Sequence, residues 1–166
     1  DVRMVQIGFF FNKFFRTVRD VASIEKKKVS LILEGTEIEI DRNILKIISD
    51  SMIHIIRNSV SHGVELPSVR HQNGKAEEGS LTLTARNDKD KIVISISDDG
   101  AGIDVKKIKQ KAVQKNIISE SYANSMSENE ALQLIFEPGF SGAEKVTEIS
   151  GRGVGMDVVK KAVENI

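Results

Sequence analysis

The sequence predicts an α+β fold, a two-layer sandwich in which helices cover one face of a mixed, mainly antiparallel sheet. Apolar residues recur at helical spacing near the start of the chain and again over 41–61. Between and after these segments, 29–33 and 37–40 are typical of strands, and alternating residues over 81–97 are typical of a hairpin with one buried face. The 166 residues are enough for one domain with its own core.

Composition excludes several classes of protein. The 24 basic and 24 acidic residues balance, so we expect no nucleic-acid partner and no docking on an anionic membrane. The absence of cysteine excludes disulfides and thiolate metal sites and favours a cytoplasmic location. No apolar run reaches the roughly 18 residues of a membrane span, and no signal peptide is visible. Because the chain begins at Asp1, we expect it to be part of a longer protein.

The first element in chain order is a phenylalanine-rich segment, which predicts a helix over about 4–25 with a buried aromatic face. Strands are expected over 29–33 and 37–40, and Asp41 is expected to cap a long helix that runs to about Ser61. Gly63 is expected to end that helix, and the residues from there to Gly79 to form a loop.

A polar line interrupts the otherwise apolar long helix. Asn58 could supply an oxygen ligand to Mg²⁺, and His54 or His62 could contact phosphate or move a proton. The same residues could equally be satisfied interior groups or a solvent-facing stripe. The line consists of Ser51, His54, Asn58, Ser61 and His62.

The segment 81–97 predicts an antiparallel hairpin, with a linker at 87–90, that leads directly to Asp98. A carboxylate at a strand end can accept a hydrogen bond from the exocyclic amine of adenine, whereas guanine carries an oxygen there. Gly100 and Gly102 would let a base or ribose approach the backbone. Taken alone, Asp-Asp-Gly is also common turn chemistry.

The remainder of the chain predicts three helices. Asp104 is expected to cap one that runs through Asn116, and the Ser127/Glu130 spacing predicts another over 128–136. The last follows a glycine run over 150–155, where free N–H groups at a helix start favour anions. That run fits neither the Walker pattern nor the dinucleotide fingerprint, so by itself it is a weak signal.

Four segments together resemble the N, G1, F and G2 boxes of the gyrase/Hsp90/histidine-kinase/MutL ATP-binding superfamily, and in particular the ATP-binding domain of chemotaxis histidine kinases. The resemblance covers essentially the whole chain and implies a Bergerat-type fold, with 1–166 as a single domain. In chain order the segments are HxxRNSxxHG at 54–63, DDGAGID at 98–104, FEPGFS at 136–141 and SGRGVGMD at 150–157.

The resemblance implies a role for each matching residue. Asp98 would bind the adenine amine, with Gly100 and Gly102 shaping the base pocket. Asn58 would hold Mg²⁺ between the phosphates, and His54 could accept or orient a proton. Other contacts to the triphosphate would come from Arg57, His62, Lys107, Lys111, Ser150, Gly151, Arg152, Gly153, Val154 and Gly155.

The resemblance also implies a mobile ATP lid over about 117–150. The chain departs from the family pattern at Ser61, where an aspartate is usual, and at Gln6, where a proline is common. Relatives continue through two strands that complete the sheet, and these are apparently missing after Ile166.

The implied function is to bind Mg-ATP and transfer the γ-phosphate to a histidine on a separate phosphotransfer domain of the same kinase. Through the full-length protein, a coupling protein and a chemoreceptor array would be further partners. The alternative is a nucleotide-gated interaction module of the same superfamily without efficient phosphotransfer. A soluble domain with no ligand would require all four boxes to be coincidental.

Overall fold

The computed structural model describes residues 2–140. Contacts divide the chain into two compact units, Asp1–Gly102 and Ile103–Ile166. Among the described residues, every helix is too short or too polar to cross a bilayer. The predicted final helix and the glycine run at 150–155 lie outside the described residues.

The first unit holds a three-stranded mixed sheet and a separate two-stranded ribbon. In the sheet, β2 lies parallel to β4, which pairs antiparallel with β5, and in the ribbon β1 pairs antiparallel with β3. Helix α2 packs against β2 and α3. The predicted α+β class is therefore confirmed. The elements are β1 (Met4–Gln6), α1 (Ile7–Phe11), α2 (Phe14–Ile24), β2 (Val29–Glu34), β3 (Glu39–Asp41), α3 (Arg42–Asn58), a π-turn (Ser59–Gly63), α4 (Pro67–Gln72), β4 (Gly79–Asp88) and β5 (Lys91–Asp98).

The predicted hairpin is confirmed as β4 and β5. Leu81, Leu83 and Ala85 are buried, because alternate residues of β4 face the core. The strands extend further than predicted, with Asp88 paired to Lys91, so the turn is shorter than the expected linker. At the other end Leu81 pairs with Asp98, which fixes where the chain leaves the sheet.

The phenylalanine-rich segment differs from the single helix predicted over 4–25. It begins with strand β1, and its helical part is divided into α1 and α2. Phe10, Phe11 and Phe14 are buried, but Phe9 is 71% exposed and Phe15 46% exposed. A helix turns about 100° per residue, so five phenylalanines within seven positions cannot all lie on one face.

The long helix begins as predicted, since the Asp41 carboxylate accepts a hydrogen bond from the Asn43 N–H at 2.9 Å. α3 ends at Asn58, and a π-turn continues to Gly63. Lys27 Nζ donates to the Val60 and Ser61 carbonyls at 2.9 and 2.7 Å, which satisfies acceptors at this helix end. The segment predicted as a loop up to Gly79 contains α4, which was missed.

The described part of the second unit is helical. It contains α5 (Val105–Gln114), α6 (Glu120–Ser125), α7 (Glu128–Gln133) and a 3₁₀ turn (Leu134–Phe136). The predicted caps are confirmed: Asp104 accepts from the Lys106 N–H, and Ser127 from the Glu130 N–H. Helix α6 was not predicted. The buried cluster of this unit is formed by Ile108, Ala112, Met126, Ala131, Leu134 and Phe140.

Candidate functional site

The end of β5 meets the π-turn inside the first unit. The Ala101 N–H donates to the Gly63 carbonyl at 2.9 Å. A Cβ on Gly63 would lie 3.2 Å from both carboxylate oxygens of Asp98, and a Cβ on Gly100 would overlap the Gly63 carbonyl oxygen. Glycine at 63 and 100 is therefore what allows the Asp98 carboxylate to lie against the π-turn.

The Asp98 carboxylate is exposed, and only part of its hydrogen-bonding capacity is used. Its Oδ1 accepts a hydrogen bond from the Gly100 N–H at 2.9 Å. An ionised carboxylate offers about four lone-pair sites, so Asp98 retains capacity for a ligand donor. Gly102 follows with φ +77°, and no atom of the described part of the first unit lies within 4 Å of its would-be Cβ, which leaves space beside the backbone in that unit.

A cavity of about 510 Å³ adjoins this junction. That volume is within the range of small-molecule sites, roughly 300–1,000 Å³. Glu25 and Lys27 line it, together with His62, Gly63 and Ala101 next to the Asp98 loop. The described residues thus bring His62 and the first glycine-rich motif to one place.

The predicted polar line is continuous only along α3. Ser51 is buried, and His54 and Asn58 are half-buried on the same face. A π-turn has i→i+5 hydrogen bonds and therefore more residues per turn than an α-helix. The steps of three or four residues that aligned Ser61 with these residues therefore do not hold in the π-turn. Instead, the Ser61 hydroxyl donates to Glu25 Oε1 at 2.9 Å.

The electrostatic environment of His54 keeps its imidazole neutral. Burial, followed by the charge of Arg57, lowers the pKa of His54 below 6.5. The Arg57 Nε is buried and has no hydrogen-bond partner among residues 2–140. A buried guanidinium donor of this kind suits an anionic ligand, because phosphate oxygens can accept from it.

An ionic network beside the Asp98 loop was missed by sequence reasoning. Arg70, on α4, has a side chain only 2% exposed and pairs with Glu65 at 3.0 Å and Asp99 at 3.1 Å. Lys75 pairs with Glu65 at 2.9 Å. The hydrogen bond from Lys75 is the largest cause of a lowered pKa for Glu65. Hydrophobic periodicity carries no signal for a buried arginine. The regular five-residue spacing of Glu65, Arg70 and Lys75 is the one sequence feature that could have indicated a charged network here.

Two of the other predicted ligands, Lys107 and Lys111, belong to the second unit. Lys107 is exposed on α5 of the second unit. Lys111 Nζ lies 4.9 Å from the centroid of the Phe140 ring, a cation–π contact within that unit. The predicted phosphate-binding residues Ser150, Gly151, Arg152, Gly153, Val154 and Gly155 lie outside the described residues.

The sequence predicts one protein ligand for Mg²⁺, which is the neutral side-chain amide of Asn58. Over residues 2–140, no group of three or more His, Cys, Asp or Glu side chains could hold a metal ion. Asn58 offers an amide oxygen, and Mg²⁺ commonly takes one or two protein ligands with phosphate oxygens and waters. The residues present fit a magnesium ion that arrives with a nucleotide.

Comparison with known proteins shows the family to which the chain belongs. Residues 47–166 match the family described as "Histidine kinase-, DNA gyrase B-, and HSP90-like ATPase". The chain belongs to this family, whose members bind ATP. It is therefore an ATP-binding domain of the histidine-kinase type.

The curated relatives narrow the class. The chain is 50% identical over 164 residues to the sensor histidine kinase CheAY of Helicobacter pylori, covering 99% of this chain and 20% of that protein. It is 43% identical over 166 residues to the chemotaxis protein CheA of Halobacterium salinarum, covering 100% of this chain and 25% of that protein. A gliding motility regulatory protein of Myxococcus xanthus is also 43% identical over 166 residues, with 100% of this chain and 21% of that protein covered. The resemblance to the ATP-binding domain of CheA is thereby confirmed, and the chain spans about a fifth to a quarter of these relatives.

Proposed function

We propose that this domain binds Mg-ATP and presents its γ-phosphate to a histidine on a separate phosphotransfer domain in chemotaxis signalling. The observation that carries the proposal is the junction of the Asp98 carboxylate with Gly63 and Gly100 at the end of β5. It leaves a carboxylate acceptor beside open backbone, which is the chemistry that adenine recognition requires.

The carboxylate would decide between purines. Asp98 would accept a hydrogen bond from the exocyclic amine of adenine, and the same oxygen would face the carbonyl oxygen of guanine or hypoxanthine unfavourably. Gly102, with open space beside it, would allow the base to approach the main chain. This arrangement supports ATP over GTP as the ligand.

The phosphate end would lie along the polar face of α3. Asn58 would contribute an oxygen ligand to Mg²⁺, which when bound would neutralise charge on the phosphates. Arg57, whose buried Nε has no partner among residues 2–140, would donate to a phosphate oxygen. His62, Lys107, Lys111 and the 150–155 segment remain proposed phosphate contacts.

His54 would handle the proton. Its lowered pKa keeps the imidazole neutral at pH 7, so it can accept a proton from, or orient, the incoming histidine nitrogen. The nucleophile itself would come from another domain. Of the chain's three histidines, His54 and His62 belong to the proposed site, and His71 lies in α4 rather than in the loop expected from sequence.

The names of the relatives support the cellular setting. Several are called chemotaxis protein CheA. We therefore propose a phosphotransfer domain of the same kinase as the direct partner. A coupling protein and a chemoreceptor array would be partners of the full-length protein, in the cytoplasm.

Label transfer tests the proposal. The chain is mixed with γ-labelled ATP, Mg²⁺ and a phosphotransfer domain from a CheA relative, and acid-labile, base-stable label on that domain is measured. Transfer that depends on both the chain and Mg²⁺ is the expected result. Nucleotide binding without transfer would instead support the nucleotide-gated interaction module, and no nucleotide binding would overturn both.

A further inference from the structure

We infer that Arg70, Glu65 and Lys75 form a charged clamp that positions the adenine-selecting loop at 98–102. The clamp deepens the proposed function and rests on it. Its three members act through the loop backbone and through Asp99, so they are positioning residues and not ligands of the nucleotide.

Arg70 holds the loop from α4. Its Nη1 donates to the Asp99 carbonyl at 3.2 Å, and its Nη2 to Asp99 Oδ2 at 3.1 Å. The guanidinium is fixed in turn by Glu65 Oε1 at 3.0 Å and by the Ala76 carbonyl at 2.7 Å. This is a planar fork with four acceptors around it, an arrangement that lysine cannot reproduce.

Lys75 holds the next peptide unit. Its Nζ donates to the Asp99 carbonyl at 3.1 Å, to the Gly100 carbonyl at 3.0 Å and to Glu65 Oε2 at 2.9 Å. All three ammonium protons therefore have acceptors. The far side of Asp99 is held by the Ser80 N–H, which donates to Oδ1 at 2.8 Å.

These contacts fix the direction of the Asp98 carboxylate. Oδ1 of Asp98 accepts from the Gly100 N–H, and the peptide units on either side of Gly100 are the ones whose carbonyls the clamp holds. The Ala101 N–H also holds the loop through the Gly63 carbonyl, but glycine at 100 and 102 has no side chain to pack, so the clamp supplies further contacts at the Asp99 and Gly100 carbonyls. Without the clamp, the Gly100 N–H and the carboxylate bound to it would sample more orientations.

Burial makes the clamp rigid. The side chains of Arg70 and Glu65 are 2% and 10% exposed, so their charges are little screened by solvent. Lys75 is 35% exposed and can be truncated with less disturbance. A rigid carboxylate discriminates better than a mobile one between the exocyclic amine of adenine and the carbonyl oxygen of hypoxanthine. The reason is that a mobile carboxylate can turn away from the carbonyl oxygen and so avoid the repulsion.

The test measures purine selectivity in Lys75→Met, which keeps most of the apolar stem and removes the three donors. Dissociation constants for ATP and ITP are measured by calorimetry on the full chain. ITP differs from ATP in carrying an oxygen in place of the exocyclic amine. The ATP-over-ITP preference is expected to fall about tenfold, as for one lost charge-assisted hydrogen bond.

Controls separate positioning from general damage. Lys28→Met removes another lysine ion pair, to Glu77 at 3.1 Å, and should leave the preference unchanged. Lys75→Arg should restore part of it. Should Lys75→Met not fold, Lys75→Gln is measured with the same expectation.

Two results would overturn the clamp. One is a Lys75→Met or Lys75→Gln variant that keeps the wild-type ATP-over-ITP ratio, and the other is an equal loss of affinity for both nucleotides in that variant. If the unsubstituted chain does not prefer ATP to ITP, the adenine site itself is wrong, which is a failure of the proposed function.

Discussion

Asp98 lies at the last position of β5, opposite Leu81, with its carboxylate exposed and bonded to the Gly100 N–H. Its position at the end of a strand could be predicted from sequence because the strand, the carboxylate and the glycines are contiguous. Arg70 could not be predicted, since its acceptors at Glu65, Ala76 and Asp99 become neighbours only through folding.

Asp98→Asn is expected to weaken ATP binding while the chain stays folded. The change is nearly isosteric and removes the negative charge and one acceptor oxygen, at a cost of about 1.5–3 kcal/mol, or roughly 10- to 150-fold in dissociation constant. Calorimetry with ATP checks this. Asp88→Asn, at the exposed end of β4, is the matched control. Unchanged ATP affinity in Asp98→Asn would remove the base-recognition role.

His54 gives a pH-dependent prediction. Its pKa in the folded chain is below 6.5, chiefly because of burial. As the pH falls below 6.5, the unfolded chain therefore takes up this proton before the folded chain does, and stability decreases. Above that value His54 is neutral in both states and contributes no pH dependence.

The measurement is urea unfolding at pH 7.5 and at pH 5.5. His54→Gln should show a smaller loss of unfolding free energy between these two conditions than the unsubstituted chain, because the substitution removes the proton uptake at position 54 that favours the unfolded chain. An identical loss in the two proteins would show that burial of His54 has no energetic consequence.

Elements with a sustained repeat were predicted correctly, whereas several short ones were missed. α3, β4 and β5 are long enough for periodicity to show. β1, α4 and α6 have only three to six residues, and tertiary contacts decide their form. The π-turn was also missed, because the sequence carries no signal for the change of spacing after Asn58.

Gly100→Ala is expected to be strongly destabilising, because Gly100 lies where the π-turn meets the loop after β5. The new Cβ would overlap the Gly63 carbonyl, so backbone must move and the Ala101-to-Gly63 hydrogen bond is strained. Loss of several kcal/mol of unfolding free energy, or loss of ATP binding, is expected.

Gly74→Ala is the control for this substitution. Gly74 has φ +76° and nothing near its would-be Cβ, so alanine there costs only the strain of a left-handed backbone, about 1 kcal/mol. Thermal unfolding and ATP titration of the two variants provide the comparison. Equal effects would mean that the junction tolerates a methyl group and is not closely packed.

At the scale of the molecule, the predicted site residues fall into three groups. His54, Arg57, Asn58, His62, Asp98, Gly100 and Gly102 lie in the first unit, and Lys107 and Lys111 lie in the second. The glycine run 150–155 lies beyond the described residues. The prediction of one domain over 1–166 stays a prediction, as does that of a lid over 117–150. What the sequence could supply was the order of the motifs; the contacts that position them depend on the fold.

Nucleotide binding should stabilise the whole chain by mass action. At a free Mg-ATP concentration about 100 times the dissociation constant, the gain is about 2.7 kcal/mol. For a chain of this size that corresponds to a rise in Tm of roughly 5–11 °C. Differential scanning fluorimetry with and without EDTA measures the part that requires magnesium.

Asn58→Ala distinguishes between two roles of Asn58, a ligand of Mg²⁺ and a residue that serves only the fold. If Asn58 holds the ion, this variant should lose most of the magnesium-dependent rise in Tm and keep the smaller rise that ATP gives in EDTA, because only the first involves the amide oxygen. Ser51→Ala, about two turns earlier on the same face of α3, is the matched control and should keep both rises. If Asn58→Ala lowers the two rises equally, the asparagine serves the fold, and magnesium must be held by groups other than those assigned to it.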